Sequence, residues 1–324
     1  MIVISEALAR DLVTLADAIE AVETCFAGMA MGTARNYPVV REVLGLHDAV
    51  FGVKTGCDIG QEVLGLKAGG YWPHNAARGE MGNHQSSTLL FDAGSGRASA
   101  LVSANYLTGA RTGASSAIAT KYLARKDASV LGLIGTGGQS EYQLRATMEV
   151  RQIKEVHAWD PVVANLERFG ELSQKLGLGF TGHADPRGAV APADIVITVT
   201  PSQAAIVEKA WVRPGTHVSA MGADTKGKQE LAPDLVAGAS LFYDELEQVQ
   251  SIGEFQHAFA QGLIKADDLR ASIGEVVAGM HPGRKTDDEI TIFDGTGVAL
   301  QDLVVANLAV NKARAAGRGN TVEY

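Results

Sequence analysis

The segment VLGLIGTGGQS sets Gly135, Gly137 and Gly138 directly after an apolar strand and ahead of a helix, with Ser140 where a further small residue is needed. Gly135 permits a tight turn, Gly137 lets the main chain approach a pyrophosphate, and the helix N-terminus faces that group's negative charge. Thr136 and Gln139 complete the loop, and all six residues are candidates for holding a dinucleotide. The next strand ends at Trp159-Asp160, where a carboxylate accepts a hydrogen bond from the adenosine ribose 2′-hydroxyl and repels a 2′-phosphate. NAD(H) is therefore expected in preference to NADP(H). In the plainer alternative the glycines only turn the chain and Asp160 caps the following helix. Two later strands close on Thr198-Val199-Thr200-Pro201 and on Met221-Gly222-Ala223-Asp224. Such carboxyl ends border the ligand crevice of an open α/β sheet, which makes Thr198, Thr200, Met221 and Gly222 cofactor candidates. Asp224 then stands near the nicotinamide, unless it is an ordinary turn or helix-cap aspartate.

The elements that must position these residues follow from the hydrophobic pattern. Residues 5–31 carry Leu8, Leu12, Leu15, Ile19, Val22 and Phe26 at helical intervals and read as one amphipathic lead-in ending at Gly32. Residues 37–91 break into short β-rich pieces separated by glycine, the pattern of an antiparallel or mixed sheet. A Gly/Ser turn at 92–97 follows, then a small-residue helix from Thr112. From DASVLGLIG onward, apolar strands alternate with helices, as in a parallel sheet covered on both faces. The strand EITIFDG and an apolar-striped helix over 298–316 close the chain, and that helix is placed to pack back on the first domain.

Composition narrows the partners. The chain has 324 residues, 46% of them hydrophobic, and a net charge of −9, with no basic patch to displace counterions from phosphates. A small metabolite is expected rather than a nucleic acid. No apolar run reaches the roughly 18 residues that cross a bilayer, and the first residues lack signal-peptide features, so no membrane partner and a cytoplasmic location are expected. Cys25 and Cys57 have no partner at metal or redox spacing and read as reduced and structural; no metal is expected.

The segments LTGARTGASSAIATKYL, GLIGTGGQSEYQ, ADIVITVTPS, GADTKGKQEL and TIFDGTGVALQD together resemble the ornithine cyclodeaminase and μ-crystallin family across nearly the whole chain. The resemblance implies an α/β fold: a doubly wound Rossmann domain over 114–298 and an α+β substrate and dimerisation domain over 1–113 with 299–324. It implies a homodimer and a cleft between the domains. It assigns Arg41, Lys67 and Arg111 to the substrate carboxylate and its surroundings, chemistry that guanidinium forks and a lysine of lowered pKa can perform. It further places Thr112 and Ser115 by the cofactor phosphates, and Asp294, Gly295 and Gly297 on the nicotinamide side. Asp224 matches the aspartate that cyclodeaminases use on the substrate amine. Lys67 and Asp224 are thus the catalytic candidates.

Three activities fit: NAD(P)H-dependent reduction of a small α-imino acid or its reverse, ornithine cyclodeamination to proline and ammonia, and dinucleotide-dependent binding without catalysis. The stretch GGYWPHNAARGEMGNHQSS offers His74, Arg78, Asn83 and His84 as donors, which suit a side-chain carboxylate better than the ammonium of ornithine. These histidines are otherwise ordinary loop residues. Iminosuccinate, giving aspartate, is the favoured substrate and iminopropionate, giving alanine, the next. Retention of Arg41, Lys67, Arg111 and Asp224 disfavours a binding-only role.

Overall fold

A computed structural model describes residues 1–79 and 81–323. The chain forms two compact units, Met1–Arg111 with Val298–Tyr324, and Thr112–Gly297.

In the first unit the lead-in is two helices rather than one, α1 (Glu6–Leu12) and α2 (Leu15–Ala30). Val13 is extended, and Thr14 opens α2 with a capping box: its hydroxyl accepts from Asp17 N at 3.2 Å and its own N donates to Asp17 Oδ2 at 2.8 Å. The capping residues break a stripe whose apolar spacing alone reads as continuous. The sheet contains β1 (Ile2–Ile4), β2 (Ala34–Asn36), β3 (Val40–Val43), β4 (Val50–Asp58), β5 (Val63–Tyr71), β6 (His84–Phe91) and β7 (Ala98–Ser103). Its order is Asn320–Thr321, β1, β7, β6, β5, β4, β2, with β3 also pairing β4; only β1 and β7 run parallel, so the sheet is mixed. The hairpin at 92–97 is closed by Asp92, whose Oδ1 accepts from Ser95 N at 2.7 Å. The C-terminal helix Ala299–Ala315 packs on this sheet, and Gly56 and Gly65 let it come close. A Cβ at either glycine would lie 3.2 Å from Leu300 or Leu303.

Helix α3 (Asn105–Leu123) begins a full two turns before the expected Thr112, since Gly109 does not break it. Asn105 Oδ1 accepts from Ser86 N at 2.8 Å and ties its start to β6. Gly113 is needed where α3 passes the next helix, because a Cβ there would sit 2.6 Å from Tyr142 O.

The second unit alternates as expected: β8 (Val130–Ile134), α4 (Ser140–Val150), β9 (Glu155–Trp159), α5 (Val163–Lys175), β10 (Gly179–His183) and β11 (Ile195–Thr198). Then come β12 (Gln203–Val207), β13 (His217–Ala220), β14 (Gln229–Leu231), β15 (Ser240–Tyr243), β16 (Leu269–Ser272) and β17 (Thr291–Asp294). The main sheet is entirely parallel, in the order β10-β9-β8-β11-β13-β17-β15-β16, and β12 pairs β14 in a separate ribbon. Its central strands are buried throughout, which is why they read as unbroken apolar runs. The order reverses between β8 and β11, the switch point at which doubly wound sheets bind their ligands. No helix among the described residues is long and apolar enough to cross a membrane.

Candidate active site

In the first unit, strand register gathers the expected cations. Antiparallel pairing places Lys54 opposite Lys67, and Lys67 opposite Thr88. One row over, two residues along each strand and hence on the same face, Arg41 pairs Gly52 and Gly69 pairs Ser86. Thr108 and Arg111 share a face of α3 by their spacing of three. The C-terminal helix lays Gln301 and Asp302 against these groups. Lys67 Nζ donates to Asp302 Oδ1 at 3.0 Å and to Thr108 Oγ1 at 3.4 Å. Arg111 Nε donates to the same Asp302 oxygen at 2.9 Å, and its Nη1 to Gln301 Oε1 at 3.0 Å. Asp302 Oδ2 is buried with no hydrogen-bond partner.

Burial and neighbouring charge tune the groups of this cluster. Burial lowers the Lys67 ammonium to about 8, with Asp302 opposing the shift and the Arg111 and Arg41 charges adding to it. Burial would raise the Asp302 carboxyl, but Arg111, Lys67 and Lys54 reverse this and hold it below its ordinary range. Burial and the Lys67 and Arg111 charges bring His84 down to about 4, so its imidazole is neutral near pH 7. His84 Nε2 lies 3.1 Å from Ser86 Oγ, which lies 3.3 Å from Thr108 Oγ1. Lys67 and Arg111, two buried cations that share one Asp302 oxygen, can receive an anion.

The other donors of that stretch stand elsewhere. His74 pairs with Asp48 at 3.2 Å, Asn83 Oδ1 accepts from Ala76 N, and Arg78 is exposed on a short 3₁₀ turn. Only His84 joins the buried cluster. Asp302 and Gln301 were not among the candidates that spacing supplied. The signal available was that Asp302 is the sole acid in Ala299–Ala315, on a helix otherwise apolar enough to be buried.

In the second unit, the loop 135–139 joins β8 to α4. Gly135 has φ +97°, and a Cβ there would meet Thr200 Cγ2 at 2.8 Å. Around Gly137 and Gly138 a Cβ would meet nothing within 4 Å, so the main chain is bare to an incoming ligand. Ser140 Oγ donates to Gly137 O at 2.7 Å and shapes the turn. Asp160 braces the loop: its Oδ2 accepts from Thr136 N at 2.7 Å and from Thr136 Oγ1 at 3.0 Å. Its Oδ1 accepts from Val162 N at 2.8 Å, so the turn role and a ribose role coexist on one carboxylate. A bare glycine cradle at a helix N-terminus, with an acid at the end of the second strand, fits the pyrophosphate and adenosine ribose of a dinucleotide.

The strand ends are tied together by Glu230, a residue that no motif or spacing marks. Its carboxylate accepts from Thr198 Oγ1 at 2.6 Å, Thr200 N at 2.6 Å and Gly222 N at 2.9 Å, joining the ends of β11 and β13. Glu254 in turn accepts from the main-chain N of Glu230 and Leu231. Met221 is buried, and a Cβ at Gly295 would lie 2.6 Å from its sulfur. Asp294 is fully buried, and burial with the Asp244 charge raises its carboxyl well above the ordinary range. Thr112 and Ser115 are buried on α3. Asp224 pairs with Lys228 Nζ at 2.7 Å and belongs to this unit, whereas Lys67 belongs to the first.

A Rossmann unit with an open phosphate loop, joined in one chain to a mixed-sheet unit that buries an anion-receiving cluster, defines a dinucleotide-dependent oxidoreductase of small carboxylates. The chain belongs to the ornithine cyclodeaminase/mu-crystallin family, which it matches over residues 2–317. It is 48% identical to the iminosuccinate reductase of Paracoccus denitrificans over the whole of both chains. The crystal structure of that reductase in complex with NAD+ has a TM-score of 0.94 to this fold, covering 100% of this chain and 99% of the other. The alanine dehydrogenase of Archaeoglobus fulgidus is 35% identical, covering 100% of this chain and 98% of that one. The Thermococcus litoralis Delta(1)-pyrroline-2-carboxylate reductase, solved with NADH and L-proline, is 32% identical with a TM-score of 0.95, covering 99% of this chain and 100% of that one.

Proposed function

We propose that this chain reduces a small α-imino acid to an L-amino acid with NADH, and that iminosuccinate, giving aspartate, is its preferred substrate. The observation that carries the reading is the buried group of Lys67 and Arg111, two cations that share one oxygen of Asp302, in the field of the Arg41 and Lys54 charges. Two buried cations sharing one carboxylate suit a substrate bearing two carboxylates better than one bearing a second amine. The 48% identity to an iminosuccinate reductase supports the same choice.

When bound, NADH supplies the hydride that reduces the C=N carbon and leaves as NAD+. The chain's own residues bind, orient and move protons. Arg41 and Arg111 hold carboxylate oxygens through their guanidinium forks. Lys67, with its pKa near 8, carries a transferable proton at neutral pH and gives it to the nitrogen as the C=N π pair moves there. Asp224 is the second proton-handling candidate, and Lys67 is the one whose surroundings tune it. Asp160 selects NADH over NADPH.

The protein acts as a cytoplasmic homodimer in this reading. Strand β3 is exposed along its whole length, and Val40, Val43, Leu46 and Phe51 are exposed apolar side chains on and beside it that a second copy would cover. One of the similar structures is an archaeal alanine dehydrogenase dimer with bound NAD. The test is loss of NADH absorbance with oxaloacetate, pyruvate or glyoxylate, each mixed with ammonia. Fastest turnover with oxaloacetate, yielding aspartate, is the expected result. Silence with all three, and proline formed from ornithine without net change in NADH, would replace this reading with cyclodeamination.

A further inference from the structure

We propose that Thr108, Ser86 and His84 form a proton relay that restores the proton Lys67 gives up in each turnover; this deepens the preceding reading and rests on Lys67 as donor. The relay is a continuous line of hydrogen-bonding atoms: Lys67 Nζ to Thr108 Oγ1, 3.4 Å; Thr108 Oγ1 to Ser86 Oγ, 3.3 Å; Ser86 Oγ to His84 Nε2, 3.1 Å. It crosses three elements, β5, α3 and β6, and each member is placed by register or helical spacing. Lys67, Thr108 and Ser86 are buried, and His84 alone is partly exposed.

Lys67 needs such a supply. Its ammonium is shut from solvent, and its nearest charged neighbours, Asp302 and Arg111, cannot serve. Asp302 is held in its ionised form by Arg111 and Lys67, and a guanidinium does not give up its proton. The two hydroxyls each donate and accept, so a proton passes by rotation of O–H bonds. His84 is held neutral, so one ring nitrogen donates while the other accepts, and a change of tautomer moves one proton across the ring. Imine reduction consumes one proton beyond the hydride. Lys67 Nζ–H breaks as the substrate N–H forms. Thr108 then donates to Nζ, Ser86 to Thr108 and His84 Nε2 to Ser86, and His84 recovers its proton from water. The sum is one proton carried from solvent to Lys67.

Asp302 is the positioning residue of this line, because its Oδ1 fixes Lys67 Nζ beside Thr108 and shares that oxygen with Arg111.

The experiment compares the first turnover with steady state in Thr108→Val, which keeps the shape and removes the hydroxyl, and in Thr108→Ser, which restores it. Expected for Thr108→Val is an unchanged first-turnover rate, with Lys67 protonated beforehand. Its steady-state rate should be slower by about tenfold or more, within the span of general acid–base effects, and partly restored by added imidazole. Thr108→Ser should recover the wild-type rate, and Ser86→Ala should reproduce the slow steady state if Thr108→Val fails to fold. An unchanged steady-state rate in folded Thr108→Val, with Lys67→Ala inactive, overturns the relay and leaves Lys67 as donor. Full activity in Lys67→Ala overturns the assignment on which the relay rests.

Discussion

Replacing Glu230 with alanine tests how the dinucleotide crevice is kept in shape. The carboxylate is fully buried and accepts from Thr198 Oγ1, Thr200 N and Gly222 N. Without it, two main-chain N–H groups and a hydroxyl lose their acceptor in a site closed to solvent. Each unpaired buried group costs about 1–3 kcal/mol. Removing a carboxylate whose pKa is raised by burial offsets part of this, so roughly 3 kcal/mol is expected, out of a total of about 5–15 for a typical domain. Glu230→Gln should cost less, about 1–2 kcal/mol, because its amide oxygen still accepts while its NH2 faces a donor. The assay is urea denaturation with and without saturating NADH. Because the tied ends of β11 and β13 border the crevice, the stabilisation that NADH adds should also shrink in both variants. A midpoint unchanged in Glu230→Ala, or a loss of stability with the NADH increment intact, would refute the positioning argument.

Other perturbations have equally definite outcomes. Glu254 is raised well above the ordinary carboxylate range by burial and by the Glu230 charge, so folding takes up a proton there. The stability linked to it is present at low pH and lost as pH rises from the unfolded value through the folded one. Denaturation curves should therefore show wild type weakening relative to Glu254→Gln as pH rises above the ordinary carboxylate range. Asp160→Ser should lose the brace on Thr136 and the repulsion of a 2′-phosphate, lowering the ratio of kcat/KM for NADH over NADPH by about tenfold or more, roughly 1.4 kcal/mol. Gly65→Ala places a Cβ 2.5 Å from Leu89 O and 3.2 Å from Leu303, and should destabilise by about 1–3 kcal/mol in thermal melts. Asp302→Ala should be insoluble or at least about 3–5 kcal/mol less stable, since Lys67 and Arg111 would be buried without their partner.

Much of the second unit was legible because its rules are local. The glycines at 135, 137 and 138, the acid closing β9 and the unbroken apolar strands each act through neighbours in the chain, and the parallel sheet follows from their alternation. The two-helix lead-in was hidden because apolar spacing runs through Val13 and Thr14, and only the cap chemistry breaks it. The early start of α3 was hidden because Asn105–Arg111, with Gly109 among them, lacks the small-residue run that marks the helix from Thr112 onward. Arg41, Lys67 and Arg111 could be singled out by family pattern alone, since an isolated cation on a strand or helix more often faces solvent. Asp302, Thr108, Ser86 and Glu230 escaped altogether. Their partners are 235, 41 and 22 residues away in the first cluster and 32 in the second, and no periodicity encodes such pairings.

The C-terminal helix also sets an order of events in synthesis. The floor that carries Lys67, and the turn of α3 that carries Arg111, leave the ribosome before the whole of the second unit, whereas Asp302 follows it. Until then two cations destined for burial have no counter-charge, and the groove over Gly56 and Gly65 lies open to water. The first unit therefore cannot close early, and a nascent chain must hold an unfinished sheet while the dinucleotide fold matures behind it. Chaperone dependence should fall on the leading segment, and a ligand of the second unit can engage before a substrate pocket exists.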